Sequence, residues 1–100
     1  MAVVLTLSWP GATKAQYDDL RKLVRWDEDP ATNGIFHVAW WEGETMMIVD
    51  VWESRQDWQS FFDERLSPRF AEAGVTGQPD AQFHEVHSYT VTAELLARLQ

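Results

Sequence analysis

The sequence predicts an α+β fold in the order βαββαβ, with a four-stranded antiparallel sheet carrying helices on one face. Three observations predict it. Four segments are rich in β-branched and aromatic residues with alternating polarity, two segments place apolar residues every third or fourth position, and turn residues such as Pro10-Gly11 and Asn33-Gly34 separate them.

Val3 to Trp9 (VVLTLSW) reads as the first strand and stops at Pro10-Gly11, a pair that turns the chain and cannot continue a ladder. Thr13 stands three residues before Gln16, the spacing of a capping box, and Tyr17, Leu20, Leu23, Val24 and Asp27 follow at helical spacing. The first helix is therefore expected to run to about Trp26, with its Lys and Arg residues on the opposite side. Asp27 to Gly34 (DEDPATNG) is polar, holds a proline and ends in Asn-Gly, so it reads as a surface loop.

Ile35 to Trp41 and Thr45 to Trp52 are strand-like runs separated by Glu42-Gly43-Glu44, which makes them a β-hairpin. Ser54 caps the next helix, whose apolar residues Trp58, Phe61, Phe62 and Leu66 recur at intervals of one, three and four. Ser67-Pro68 resembles a fresh cap with proline in the first helical position, so the helix is expected to kink or restart there and to end at Gly74. Thr76 to Asp80 is a loop, Gln82 to Val91 (QFHEVHSYTV) is read as the fourth strand, and Thr92 to Gln100 as a short terminal helix.

Residues 1–100 are read as one domain, because apolar residues are spread evenly and no linker or internal repeat interrupts them. There is no cysteine, which removes disulfides, thiolate metal sites and a cysteine nucleophile. The start of the chain has no secretory pattern, and no run reaches membrane-spanning length, so a cytoplasmic protein with no membrane partner is expected. Sixteen acidic against eight basic side chains give a formal charge of −8, which repels a phosphate backbone and argues against nucleic acid. The six tryptophans imply extra surface to cover, by a partner subunit or by a ligand.

The element order is that of the ferredoxin-like split βαβ, which leaves one sheet face bare. Alternation puts Phe36, Val38, Trp40, Met47, Val49 and Val51 on one side of the hairpin, and a homodimer through that face is the simplest cover. The layout, and above all HVAWWEGETMMIVDVWES followed by DWQSFFDERLSPRF, resembles the dimeric α+β-barrel superfamily. That group includes antibiotic-biosynthesis monooxygenases, small polyketide cyclases and haem-degrading monooxygenases, and the chain is also similar to its short uncharacterised members. The resemblance implies the fold more directly than any one activity, since many chemistries share it.

If Glu42 and Thr45 close a two-residue loop, His37 lies across from Asp50 on the hairpin, on a face shared with Ile35, Ala39, Trp41, Met46, Ile48 and Trp52. Opposed residues come within about 5.5 Å at Cβ, so the aspartate can orient the imidazole as a general base. The alternative is that a buried aspartate simply needs a partner and the histidine supplies it. On the fourth strand His87 is chosen over His84 for the same face, and His87 or Tyr89 would polarise a carbonyl or phenol oxygen. His84 and His87 face opposite sides and make no metal site. Trp9, Trp41 and Trp52, with Met46, are candidate substrate contacts; the alternative for the tryptophans is core packing.

Haem-degrading relatives use an Asn on the first strand and an axial His on the second helix. Neither is present here, and no phosphate-binding, dinucleotide-binding or nucleophile-elbow motif occurs, so no cofactor is expected. The resemblance implies a cofactor-independent monooxygenase or cyclase acting on an apolar small-molecule ligand, aromatic or polyketide-like. The alternative is a non-catalytic small-molecule-binding or structural homodimer of the same fold.

Overall fold

The computed structural model describes residues 2–98. Its sheet is built from β1 (Val3–Pro10), β2 (Gly34–Glu42), β3 (Thr45–Trp52) and β4 (Asp80–Glu85), all antiparallel in the order β2-β3-β1-β4. Helices α2 (Arg55–Phe61) and α3 (Phe70–Ala73) follow the expected positions; α1 (Lys14–Leu23) starts where expected but ends three residues before Trp26, because Arg25 turns left-handed, and α4 (Ala93–Arg98) is the terminal helix, whose expected last residues Leu99 and Gln100 lie outside the described residues. This is the ferredoxin-like α+β arrangement. The core is the helix-facing side of the sheet, where Leu5, Leu7, Trp9, Met46 and Trp52 meet Leu20, Val24, Trp58 and Phe61.

Each boundary has a local cause. Thr13 accepts from the Gln16 backbone N–H at 3.1 Å while the Gln16 side chain accepts from Thr13 N–H at 3.0 Å, closing the capping box that starts α1. Ser54 starts α2 by accepting from Asp57 N–H at 3.1 Å. After α2 the chain widens into a π turn over Phe62–Leu66, tightens into a 3-10 turn over Ser67–Arg69, and resumes as α3. The break thus begins five residues before the expected Ser67 cap: Ser67 N–H reaches back to Phe62 C=O, and Pro68 sits where its missing N–H costs little.

Two strand expectations are corrected. β4 does not run to Val91 but stops at Glu85: it is an edge strand whose only partner among the described residues is β1, and Val86 N–H donates to Ala2 C=O at 3.0 Å just past its end. On the hairpin, the register that sets His37 across from Asp50 would carry Ile35 opposite Trp52, but Trp52 pairs with Gly34, since a bulge sets in between Gly34 and Phe36. A Cβ at Gly34 would lie 3.4 Å from the Trp52 ring, so a residue without a side chain sits best there.

The rest of the hairpin keeps the expected register, with Glu42 opposite Thr45, Gly43 at φ 61° in the loop, and His37 opposite Asp50. Pairing continues across the sheet as a row of His37, Asp50, Leu5 and Phe83. The opposite face carries Phe36, Val38 and Trp40, exposed by 47, 41 and 39 % in the single chain.

Candidate functional site

At the centre of the helix-facing side, Asp50 is the one buried charged residue among those described. Its Oδ1 lies 2.6 Å from His37 Nδ1, and its Oδ2 accepts from Trp52 Nε1–H at 3.2 Å. Strand alternation explains both contacts: His37 is directly across the ladder, and Trp52 is two residues along the same strand.

The other imidazole nitrogen is also engaged. His37 Nε2 lies 2.7 Å from the Tyr17 hydroxyl on α1, and that oxygen accepts from Arg21 Nη1 at 3.2 Å. Arg21 is gripped at its far side by Asp27, at 2.7 and 3.3 Å. The Asp27 hydrogen bond holds the Arg21 guanidinium above its ordinary value, and Arg21 holds the Asp27 carboxyl below its own.

One assignment of hydrogens satisfies this whole chain. An ionised Asp50 only accepts, so His37 donates from Nδ1 and Trp52 from Nε1; the free Nε2 then accepts the Tyr17 proton, and the Tyr17 oxygen accepts from Arg21. Every donor points the same way along the path from Arg21 to Asp50. No described buried side-chain polar atom lacks a partner.

Trp26 completes the wall. Arg25 adopts the left-handed conformation at φ 58°, and the bonds from Arg25 N–H to Lys22 C=O and from Trp26 N–H to Arg21 C=O close α1 with a Schellman turn. The turn folds Trp26 back over His37, with ring centroids 5.4 Å apart, and against Phe61 at the same distance.

These groups border a mostly apolar cavity of about 80 Å³, lined by Tyr17, Arg21, Trp26, His37 and Asp50 together with Leu7, Trp9, Leu20, Met46, Trp58 and other core side chains. Of the candidate substrate contacts, Trp9 and Met46 line it. Trp9 is otherwise a core residue, 3 % exposed, with its Nε1–H on Thr76 C=O and its edge on Phe70. Trp41 instead bonds Ala12 C=O and borders a separate surface cleft, and Trp52 is sealed behind Asp50.

His87 and Tyr89 are not beside His37. The expected fourth strand would have carried them onto this face, but they lie past the end of β4 on an exposed segment, with Tyr89 56 % exposed. Helical spacing alone places Tyr17 in a core stripe and Arg21 on the opposite polar side. The available signal was the hydroxyl of Tyr17 within that stripe, which needs a partner once half-buried.

No group of three or more His, Asp or Glu side chains among the described residues could hold a metal ion. No helix among them is long and apolar enough to cross a membrane.

No family model matches this sequence, and no curated protein matches it. Solved structures do match in shape. A protein of unknown function from Nitrosomonas europaea superposes with a TM-score of 0.66 at 13 % identity, over 92 % of this chain and 95 % of that one. SnoaB, a cofactor-independent oxygenase from Streptomyces nogalater, superposes at 0.63 with 6 % identity, over 88 % and 95 %. The ActVA-Orf6 monooxygenase of Streptomyces coelicolor, solved with nanaomycin D, superposes at 0.59 with 18 % identity, over 92 % and 93 %. The ferredoxin-like fold is one that these monooxygenases share with proteins of unknown function. At these identities the likeness is one of fold, and the residues of the site have to be argued from their own chemistry.

Proposed function

We propose that the protein is an acid–base enzyme of the cofactor-independent monooxygenase or cyclase type, acting as a cytoplasmic homodimer on an apolar, aromatic or polyketide-like small molecule. The observation that carries this reading is the hydrogen-bonded path from Tyr17 through His37 to Asp50, bordering an apolar cavity. His37 supplies the basic nitrogen, and Asp50 fixes its tautomer and stabilises the imidazolium that forms on proton uptake. Trp52 holds the second carboxylate oxygen, so Asp50 cannot rotate away from the imidazole. Positioned proton transfer of this kind contributes about 10²–10⁴-fold in rate. His87 and Tyr89 have no part in the reading within one chain.

Dimerisation rests on the bare sheet face of Phe36, Val38 and Trp40, a contiguous apolar patch of the sort that a two-fold partner covers. The compartment is argued from the cysteine-free composition.

One observation favours the second reading, a non-catalytic small-molecule-binding or structural homodimer. The cavity of about 80 Å³ is well below the roughly 300–1,000 Å³ of ligand pockets. For the enzyme reading, a polycyclic substrate must gain room, and the side chain of Trp26, which lines the cavity and is not fully buried, is placed to yield it. Titration of isotope-labelled protein with nanaomycin D and with smaller naphthols separates the two. Shifts centred on the His37 imidazole, with turnover of reduced or enolisable probes lost in His37→Gln, support the enzyme. Absence of turnover across the panel assigns the second reading.

A further inference from the structure

We infer that Tyr17, not His37, is the group that touches the substrate, drawing a proton from a phenol, an enol or a 1,3-dicarbonyl carbon acid and passing its own to His37. This rests on the acid–base reading above and changes which atom does the contacting. Both imidazole nitrogens are already engaged, Nδ1 by Asp50 at 2.6 Å and Nε2 by Tyr17 at 2.7 Å, so a substrate meets no free nitrogen on His37. The Tyr17 oxygen is different. A hydroxyl has one proton to donate and two lone pairs to accept with; the proton goes to His37 and one lone pair to Arg21 at 3.2 Å, which leaves one acceptor position on the hydroxyl of a residue that lines the cavity.

The charges support that role. When the Tyr17 proton sits on His37, the path reads guanidinium, phenolate, imidazolium, carboxylate, each next to its opposite. Arg21 is fixed for this task by Asp27, whose carboxylate lies on its far side and does not compete for the Tyr17 oxygen. The step balances simply. A substrate O–H or C–H bond breaks with its electron pair left on the substrate as phenolate or enolate; the proton joins Tyr17 Oη as the Tyr17 proton moves to His37 Nε2, and Asp50 stays ionised throughout. The reverse path returns the proton to product.

Acetylacetone in heavy water provides the test, because exchange of its central C–H reads proton abstraction directly and needs no oxidant. Wild-type protein should accelerate the exchange over buffer, and Tyr17→Phe should lower that acceleration by about 100-fold or more. Arg21→Gln should lower it too, with partial recovery in Arg21→Lys. The Tyr17→Phe/His37→Gln pair should be no worse than the poorer single variant, as expected of groups that act as a unit. Thermal melts run in parallel identify any variant that has lost its fold; a merely structural Tyr17 would move the melt and leave exchange per folded molecule unchanged. Exchange by Tyr17→Phe at the wild-type rate, with His37→Gln impaired, would overturn this inference alone and return the contact to His37. Wild-type exchange no faster than buffer would overturn the acid–base reading and this inference with it.

Discussion

Asp50 and Trp52, two residues apart on β3, are joined by a 3.2 Å hydrogen bond from the indole N–H to the carboxylate oxygen that His37 does not use. The carboxylate is thereby divided between two donors, and an amide cannot replace it. Turned one way, the Asn NH₂ faces the Trp52 N–H, which loses its acceptor; turned the other way, it faces His37 Nδ1, and the imidazole must take its other tautomer, which leaves the Tyr17 hydroxyl proton without its acceptor. Asp50→Asn should destabilise the fold by about 1–3 kcal/mol, the cost of a buried polar group left unpaired. Chemical denaturation of the single variants and of the pair with His37→Ala should return a coupling energy of at least about 0.5 kcal/mol. Strictly additive losses would mean that the two residues do not act together.

The bare sheet face leads to a second prediction. Val49 lies on that face beside Val38, and an aspartate there would be buried without a partner if a second copy covers it. Wild-type protein should sediment as a dimer at micromolar concentration, and Val49→Asp as monomer or as insoluble protein. A single-chain mass for the wild type counts against the dimer.

Gly74 ends α3 at φ 75°, in the left-handed region, and a Cβ there would meet only the Gln16 amide nitrogen at 3.7 Å. No clash is created, so Gly74→Ala isolates the backbone cost of that conformation, about 1–2 kcal/mol. For a chain of this size the melting temperature should fall by about 4–8 °C per kcal/mol. An unchanged melt would show that the turn relaxes freely.

The pH dependence has a defined sign at Asp57. Its carboxyl is held below the ordinary carboxylate value by the hydrogen bond from Ser54, with a second from Asn33. A group whose folded value is lowered contributes stability above its unfolded value of about 3.9, and that contribution is lost as pH falls through the folded value. Asp57→Asn should therefore melt below wild type near neutrality, and the gap should narrow below about pH 4. Asp27, lowered by Arg21, acts with the same sign. A gap that widens in acid would reverse the assignment.

The sequence by itself determined what short-range periodicity encodes. Strand alternation and a two-residue loop at Gly43 place His37 against Asp50, and the Thr13–Gln16 box and Ser54 set the two helix starts. These are contacts between residues a few positions apart or in a ladder whose register one turn fixes. They were legible because each depends on local geometry alone. The same logic failed at β4, where alternation continues to Val91 but pairing ends at Glu85: polarity pattern describes the faces of a strand and says nothing of how much partner strand stands beside it.

Only the tertiary structure decided that Tyr17, with Arg21 bonded to its hydroxyl, meets His37. Helical spacing shows that Tyr17 shares a stripe with Leu20 and Val24, yet it carries no information on which strand residue that stripe covers once α1 lies on the sheet. The docking is set by packing of Leu20 and Val24 with Trp58, Phe61 and the strand residues beneath, side chains brought together from distant parts of the chain. The Tyr17 hydroxyl then falls on the one imidazole nitrogen that Asp50 leaves free, and a residue that reads as core becomes the hydrogen-bond partner of His37.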